Sequence, residues 1–333
     1  MKGKTILIAS YAFLILGLAG CKHSEEVEYG DWIKRSDFEG VARSDAASFS
    51  INDKGYVFGG YDGKNRLSDL WEYNVQQDYW TQKAEFPGAG RTTATAFSLD
   101  NKGYIGTGFD GSNYLKDFWE YDPASNTWTQ KADFGGSARS GAVSFGLSGK
   151  GYIGTGYDGN FLKDMWQYDP ATDTWNQTTS AGGSKRNNAT AFVHGDKAYL
   201  VCGINNGAYI TDFWRFDPAD QQWTKMRDIA NKNLNEDYDD DYNIARANAV
   251  AVYVGNRIFL TCGESGSLRS DTWEYLPDAD LWEPLKAFEG TSRTGTVSIN
   301  TSTRGFVLTG RSSTYRFDDV WEFLPDELYD ENT

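Results

Sequence analysis

The chain has 333 residues and a formal net charge of −15. That balance excludes a surface built for nucleic acid or anionic lipid, because neutralising phosphates takes clustered lysine and arginine. Twelve tryptophans, 20 tyrosines and 19 phenylalanines exclude disorder, and 36 glycines against 7 prolines point to many short strands joined by tight turns, an all-β pattern.

At the start of the chain, Lys2 and Lys4, the apolar run from Ile6 to Leu18 and the small residues Ala19 and Gly20 form the charged, apolar and small-residue regions of a secretory signal. The run is shorter than the ~20 residues a spanning helix needs. Leu18-Ala19-Gly20-Cys21 resembles a bacterial lipoprotein processing site. The resemblance implies that residues 1–20 are a signal peptide, that Cys21 is lipidated, and that contact with the bilayer runs through that anchor alone. Two or more acyl chains, at ~0.8 kcal/mol per buried methylene, hold a protein durably. Lys22 after the cysteine implies the outer membrane on the same resemblance. Glu25, Glu26 and Glu28 resemble a surface-export signal, although three glutamates in a tether over residues 21–30 are equally a solvated linker.

Repeats then dominate. Trp71, Trp119, Trp166, Trp214, Trp273 and Trp321 are separated by 48, 47, 48, 59 and 48 residues, and Trp32, Trp80, Trp128, Trp175, Trp223 and Trp282 by 48, 48, 47, 48 and 59. A period near 50 residues is that of propeller blades. Arg43, Arg91, Arg139, Arg186, Arg246 and Arg293 open six units, each followed by alternating apolar residues such as Ala47, Phe49 and Ile51, which predict a half-buried strand a. Tyr56 to Gly60 and its counterparts predict strand b, Leu70 to Tyr73 strand c, and Trp128 to Lys131, after the turn Asp122 to Asn126, strand d. At ~25 cal/mol/Å² a buried tryptophan offers about 5 kcal/mol as an upper estimate, so the tryptophans are expected to fill the core.

An arginine, a glycine pair and two spaced tryptophans around a Tyr-Asp turn resemble the Kelch repeat over residues 31–325, leaving 326–333 as a tail. The doubled glycine is present only at Gly59-Gly60; Thr107, Thr155, Cys202, Cys262 and Thr309 hold the first glycine's place elsewhere. The resemblance implies an all-β, six-bladed β-propeller of four-stranded blades. The sixth unit lacks its second tryptophan, whereas Trp32 stands one period before Trp80. The segment Asp31 to Arg35 is therefore expected to close the ring as the outermost strand of the last blade.

In such a ring the b-to-c and d-to-a loops emerge on one face, here called the upper face, and long loops on a rigid scaffold are where binding residues concentrate. The six arginines are candidates for a ring around the channel. Asp69, Asp117, Asp164, Asp212, Asp271 and Asp319 recur before strand c, however, and an Arg-Asp pair that fixes loops is the simpler reading. Tyr114, Phe161, Tyr209, Glu264 and Arg311 break the repeat and are the sharper candidates. Asp-Gly after Tyr61, Phe109 and Tyr157 reads as a turn. The run Glu236 to Asp241 in the one long insertion lacks the spacing of a calcium loop and reads as a solvated acidic lid. His23 lies in the tether and His194 in an a-to-b turn on the lower face, so no histidine-based metal or triad site is expected, and no cofactor. Galactose oxidase, a Kelch relative with a copper site, has no residue-by-residue match here. Cys202 and Cys262 occupy equivalent positions in neighbouring blades, too far apart for a disulfide. The leading expectation is a binding module for a protein or glycan partner of the envelope. The alternative, from resemblance to exported six-bladed Kelch mutarotases, is an enzyme acting on an acidic sugar through Glu264 with Arg246 or Arg186.

Overall fold

The computed structural model describes residues 28–232 and 235–330. Residues 1–20, expected to be a signal peptide, Cys21 and most of the segment expected to be a tether lie outside the described residues.

Six four-stranded antiparallel sheets follow one another along the chain. Blade 1 consists of Ala47–Ile51, Lys54–Tyr61, Arg66–Asn74 and Tyr79–Gln82. Its first strand alternates buried and half-buried residues, because one set of side chains enters the space between blades and the other faces the channel. The a-to-b turns are tight: Leu99 pairs with Lys102 around Asp100 and Asn101, both with positive φ, the backbone a two-residue hairpin requires. Strand b is buried along its length, as Lys54–Tyr61 illustrates.

The core is divided into wedges between neighbouring blades. Phe49, Tyr56, Phe58 and Phe86 from blade 1 pack with Ile105 and Tyr121 of blade 2, and Trp119 and Trp128 close that wedge. Only Trp32, Trp80, Trp273 and Trp282 are buried outright; the other tryptophans are half-buried. This corrects the expectation that all twelve fill the core. Several of these half-buried rings, Trp119, Trp128, Trp166 and Trp175 among them, pack against the wedges between blades.

Blade 6 consists of Val297–Asn300, Gly305–Leu308, Val320–Leu328 and the N-terminal Tyr29–Lys34, in that order from the channel outwards. Ring closure is as the tryptophan spacing implied. Trp32 pairs with Phe323, is fully buried, and stacks on Phe323 at 4.5 Å and edge-on against Phe288 at 4.9 Å. The pairing runs beyond 31–325, since Tyr29 still partners Leu328 across an irregularity at Gly30, whose φ is +98°. Glycine is needed there because a Cβ would sit 3.1 Å from the Phe323 ring in a left-handed backbone.

Candidate functional site

The six repeat arginines are almost wholly buried. Arg43 donates from Nη1 and Nη2 to the two carboxylate oxygens of Asp69 at 2.6 and 2.7 Å, from Nη1 to the Gly59 carbonyl at 2.9 Å and from Nε to the Val41 carbonyl at 2.9 Å. Arg91 with Asp117, Arg139 with Asp164 and Arg293 with Asp319 repeat this two-pronged pairing. Arg186 and Arg246 bond Asp212 and Asp271 through Nη2. The indole nitrogens of Trp71, Trp119, Trp166, Trp273 and Trp321 donate to the same aspartates. The arginines therefore lie inside the blades and present no guanidinium edge to the channel. Arg246 is fully engaged in this way and is not placed to serve a ligand together with Glu264.

The departures from doubled glycine now have a reason. Gly59, Thr107, Thr155, Cys202, Cys262 and Thr309 all have φ between 57° and 65°, and this left-handed turn aims each carbonyl at the arginine of its own blade. Threonine and cysteine accept about 1–2 kcal/mol of backbone cost there. Both cysteines are free and buried, and burial pushes their thiols up, to about 11 and about 12.

Burial raises the pKa of Asp69, Asp117, Asp164 and Asp319, but the paired arginine outweighs it and holds each below the usual carboxylate range. For Asp271, Arg269 and Arg246 together bring it from 3.8 to about 2 against burial. A depressed carboxylate contributes stability that is complete above its unfolded pKa and lost as pH falls through the folded one. Stability is expected to hold down to about pH 4 and to fall between pH 4 and 2. Asp271→Asn should flatten part of that fall in pH-dependent urea titrations; an unaltered profile would contradict the assignment.

The channel mouth is built from the residues two places after each arginine: Asp45, Thr93, Gly141, Asn188, Asn248 and Gly295. Each has positive φ, and their backbones bond from blade to blade, Thr93 N to Asp45 O at 2.8 Å and Asn188 N to Gly141 O at 2.9 Å among them. Below lies a cavity of about 230 Å³ lined chiefly by alanine, serine and threonine, with Tyr253 the bulky exception. No charged side chain lines it, so recognition by charge falls to the rim.

On the rim, each b-to-c loop is a short hairpin with a facing pair at the equivalent position: Tyr61 with Arg66, Phe109 with Tyr114, Tyr157 with Phe161, Ile204 with Tyr209, Glu264 with Leu268 and Arg311 with Arg316. The structure thus brings Tyr114, Phe161, Tyr209, Glu264 and Arg311 into equivalent hairpins on one face. Tyr114 meets Tyr157 edge-on at 6.0 Å, and Tyr157 meets Phe161 at 5.1 Å. The Tyr209 hydroxyl accepts from Gly266 N at 2.9 Å, linking blades 4 and 5. Glu264 accepts from Asn248 Nδ2 at 3.3 Å, and Arg311 faces Asp45 at 3.7 Å. Sequence reasoning passed over Arg66 and Arg316. Both hold the place of Tyr114, Phe161 and Tyr209, so aligning the loops on the apolar residue that follows, Leu67, Leu115, Leu162, Ile210 and Phe317, would have found them.

The acidic insertion is not a free lid. Ile229, Tyr242 and Ile244 are buried with Trp273 and Trp282, and Asp239 accepts from Lys232 N at 3.0 Å, although Glu236, Asp237, Asp240 and Asp241 stay exposed. Among the described residues, no group of three histidine, cysteine or acidic side chains is placed to hold a metal ion.

A family model described as the KLHDC2/KLHL20/DRC7 Kelch-repeats domain matches residues 32–203, and one described as the Kelch motif matches residues 185–228. A solved structure titled "Structure of YjhT" aligns with a TM-score of 0.72 at 17% identity, covering 86% of this chain and 95% of that one. That likeness concerns the fold. Matches extend to 783 solved chains, too many for the fold to select an activity. No curated protein matches the chain.

Proposed function

Because the chain belongs to the Kelch-repeat family, whose model spans more than half its length, we propose that it is a binding module holding a protein or glycan partner of the cell envelope on its loop face. One observation carries this reading. The scaffold repeats its arginine, aspartate and tryptophan from blade to blade, whereas the six facing pairs on the rim are all different. Residues that differ where everything beneath them repeats are what a single asymmetric partner requires, and aromatic and arginine side chains dominate interface energetics.

The proposed anchor at Cys21 fits this arrangement. The closing strand enters at Tyr29, opposite Leu328, at the end of the blade away from the b-to-c loops. Seven residues from Cys21 to Glu28 span no more than ~25 Å. An acylated Cys21 would thus turn the lower face towards the bilayer and the loop face away from it.

One fractionation experiment on the full chain tests both parts. Wild type is expected in the membrane pellet with its cross-linked partner. Cys21→Ser should move to the soluble fraction with the partner still attached, and Tyr114→Ala/Tyr209→Ala/Glu264→Ala should stay in the pellet without it. A partner retained by the triple variant overturns the loop-face reading, and Cys21→Ser in the pellet overturns the anchor.

A further inference from the structure

Three arginines gather on one sector of the rim, two of them with their guanidiniums at the Tyr61 ring. Arg311 and Arg316 stand directly opposite one another in the two-residue ladder of the blade 6 hairpin, an arrangement of like charges that destabilises a strand pair. Arg316 lies 4.8 Å from the centre of the Tyr61 ring, and Arg66 lies 5.1 Å from the same ring and 5.3 Å from that of Phe109.

Their hydrogen bonding differs sharply from that of the repeat arginines. Arg316 is part of the framework, donating from Nε to the Tyr61 carbonyl at 3.1 Å and from Nη1 to the Thr314 carbonyl at 2.9 Å. Arg66 has a buried Nε without an acceptor, and among the described residues nothing accepts a hydrogen bond from its guanidinium. Arg311 has only the 3.7 Å approach of Asp45, which is too long for a hydrogen bond. The two carboxylates that feel these arginines, Asp62 beside Arg316 and Asp110 beside Arg66, are taken up by their own turns, Asp62 accepting from Lys64 N, Asn65 N and Asn65 Nδ2 and Asp110 from Ser112 N, Asn113 N and Asn113 Nδ2. In a chain with 47 acidic and 32 basic residues, arginines held together without a bonded carboxylate are poised for one from outside. Glycines with positive φ, Gly63 and Gly111, turn the backbone beside them. A Cβ at Gly111 would come within 2.8 Å of Arg66 Nη1, and one at Gly63 within 2.8 Å of Arg316 Nη1.

We propose that this sector of blades 6 and 1 recognises an acidic segment of a partner protein, whose carboxylates bond the open edges of Arg66 and Arg311. The proposal rests on the loop-face reading and names the chemistry of its partner. A guanidinium whose faces are covered by rings keeps its N–H edge in plane, the geometry that receives a carboxylate in two-pronged fashion. A peptide is favoured over a sugar because the rings of Tyr61 and Phe109 are already engaged by guanidiniums and the bonding groups left on offer are guanidinium edges, which match carboxylates. The same hairpin exposes Tyr315, at 63% the most exposed large hydrophobic side chain among the described residues, and tyrosine beside arginine is the composition of protein hot spots. The overall negative charge opposes approach at long range, but at physiological ionic strength it is screened beyond ~8 Å, so the local guanidiniums decide the contact.

The test uses the full chain with labelled hexaglutamate as the peptide probe and an oligogalacturonate as the acidic-sugar probe. Hexaglutamate binding is expected to weaken about tenfold in Arg66→Gln and again in Arg311→Gln, as loss of a charged hydrogen bond implies. The melting temperature should be unchanged in Arg66→Gln and unchanged or raised in Arg311→Gln, which relieves the like-charge pair. Equal hexaglutamate binding by wild type and both variants overturns the proposal. Tighter binding of the oligogalacturonate, lost in the same variants, overturns the choice of a protein partner. If the cross-linked partner is lost in the Tyr114, Tyr209 and Glu264 variant but kept in Arg66→Gln/Arg311→Gln, the loop-face reading stands and this one falls.

Discussion

Arg139→Met is expected to lower folding stability by about 3–5 kcal/mol, the cost of leaving a buried charge without its partner. Arg139 donates to Asp164 at 2.7 and 2.8 Å, to the Thr155 carbonyl at 2.9 Å and to Ser137 through its carbonyl at 3.0 Å and hydroxyl at 3.1 Å. Removing the guanidinium leaves the Asp164 carboxylate without its cation, with only neutral donors such as Trp166 Nε1 at 2.8 Å, and frees the Thr155 turn from the group its left-handed backbone serves. Replacing both members, as Arg139→Met/Asp164→Leu, should recover much of the loss, because the penalty comes from the orphaned charge rather than from an intrinsically strong pair. Urea unfolding of the three variants measures this. A loss below about 1 kcal/mol in Arg139→Met would show that the blades do not depend on the pair.

Loss of the closing strand should be still more damaging. Trp32→Ala alone is expected to cost about 3–5 kcal/mol, as large-to-small changes in a packed core do, because the ring is fully buried against Phe323 and Phe288. Deleting residues 28–35 also removes Arg35, one of the two arginines bonded to the nearly buried Glu322, and leaves Val320–Leu328 as an unpaired edge. An open edge invites pairing with another chain, so the deletion should lower the melting temperature sharply and promote aggregation. A melting temperature equal to that of wild type, followed by circular dichroism, would refute closure by this strand.

The blade count, the strand order and the closing segment were legible because they rest on spacing. Trp32 standing one period before Trp80, with a sixth unit lacking its second tryptophan, allows one arrangement in which every blade has four strands. The recurring aspartates before strand c likewise announced a partner for the arginines. The tryptophans were read less well. A repeated large ring implies burial, yet Trp71 and Trp119 are half-buried and hold an aspartate through Nε1, a role that depends on which blade edge each ring reaches.

The candidate site divides along the same line. Tyr114, Phe161, Tyr209, Glu264 and Arg311 stood out in the sequence because they broke a pattern, and a broken pattern is visible without coordinates. Arg66 and Arg316 did not stand out, since an arginine in a polar loop is ordinary until its surroundings are known. Local sequence and period determined the six-bladed scaffold, the ring closure and the face that carries variety, because strands and turns answer to neighbours a few residues away. Only the tertiary structure decided which arginines are spent and which remain open. Hydrogen-bond satisfaction is settled between groups far apart in the chain, 255 residues for Arg316 and the Tyr61 carbonyl, and no periodicity records it.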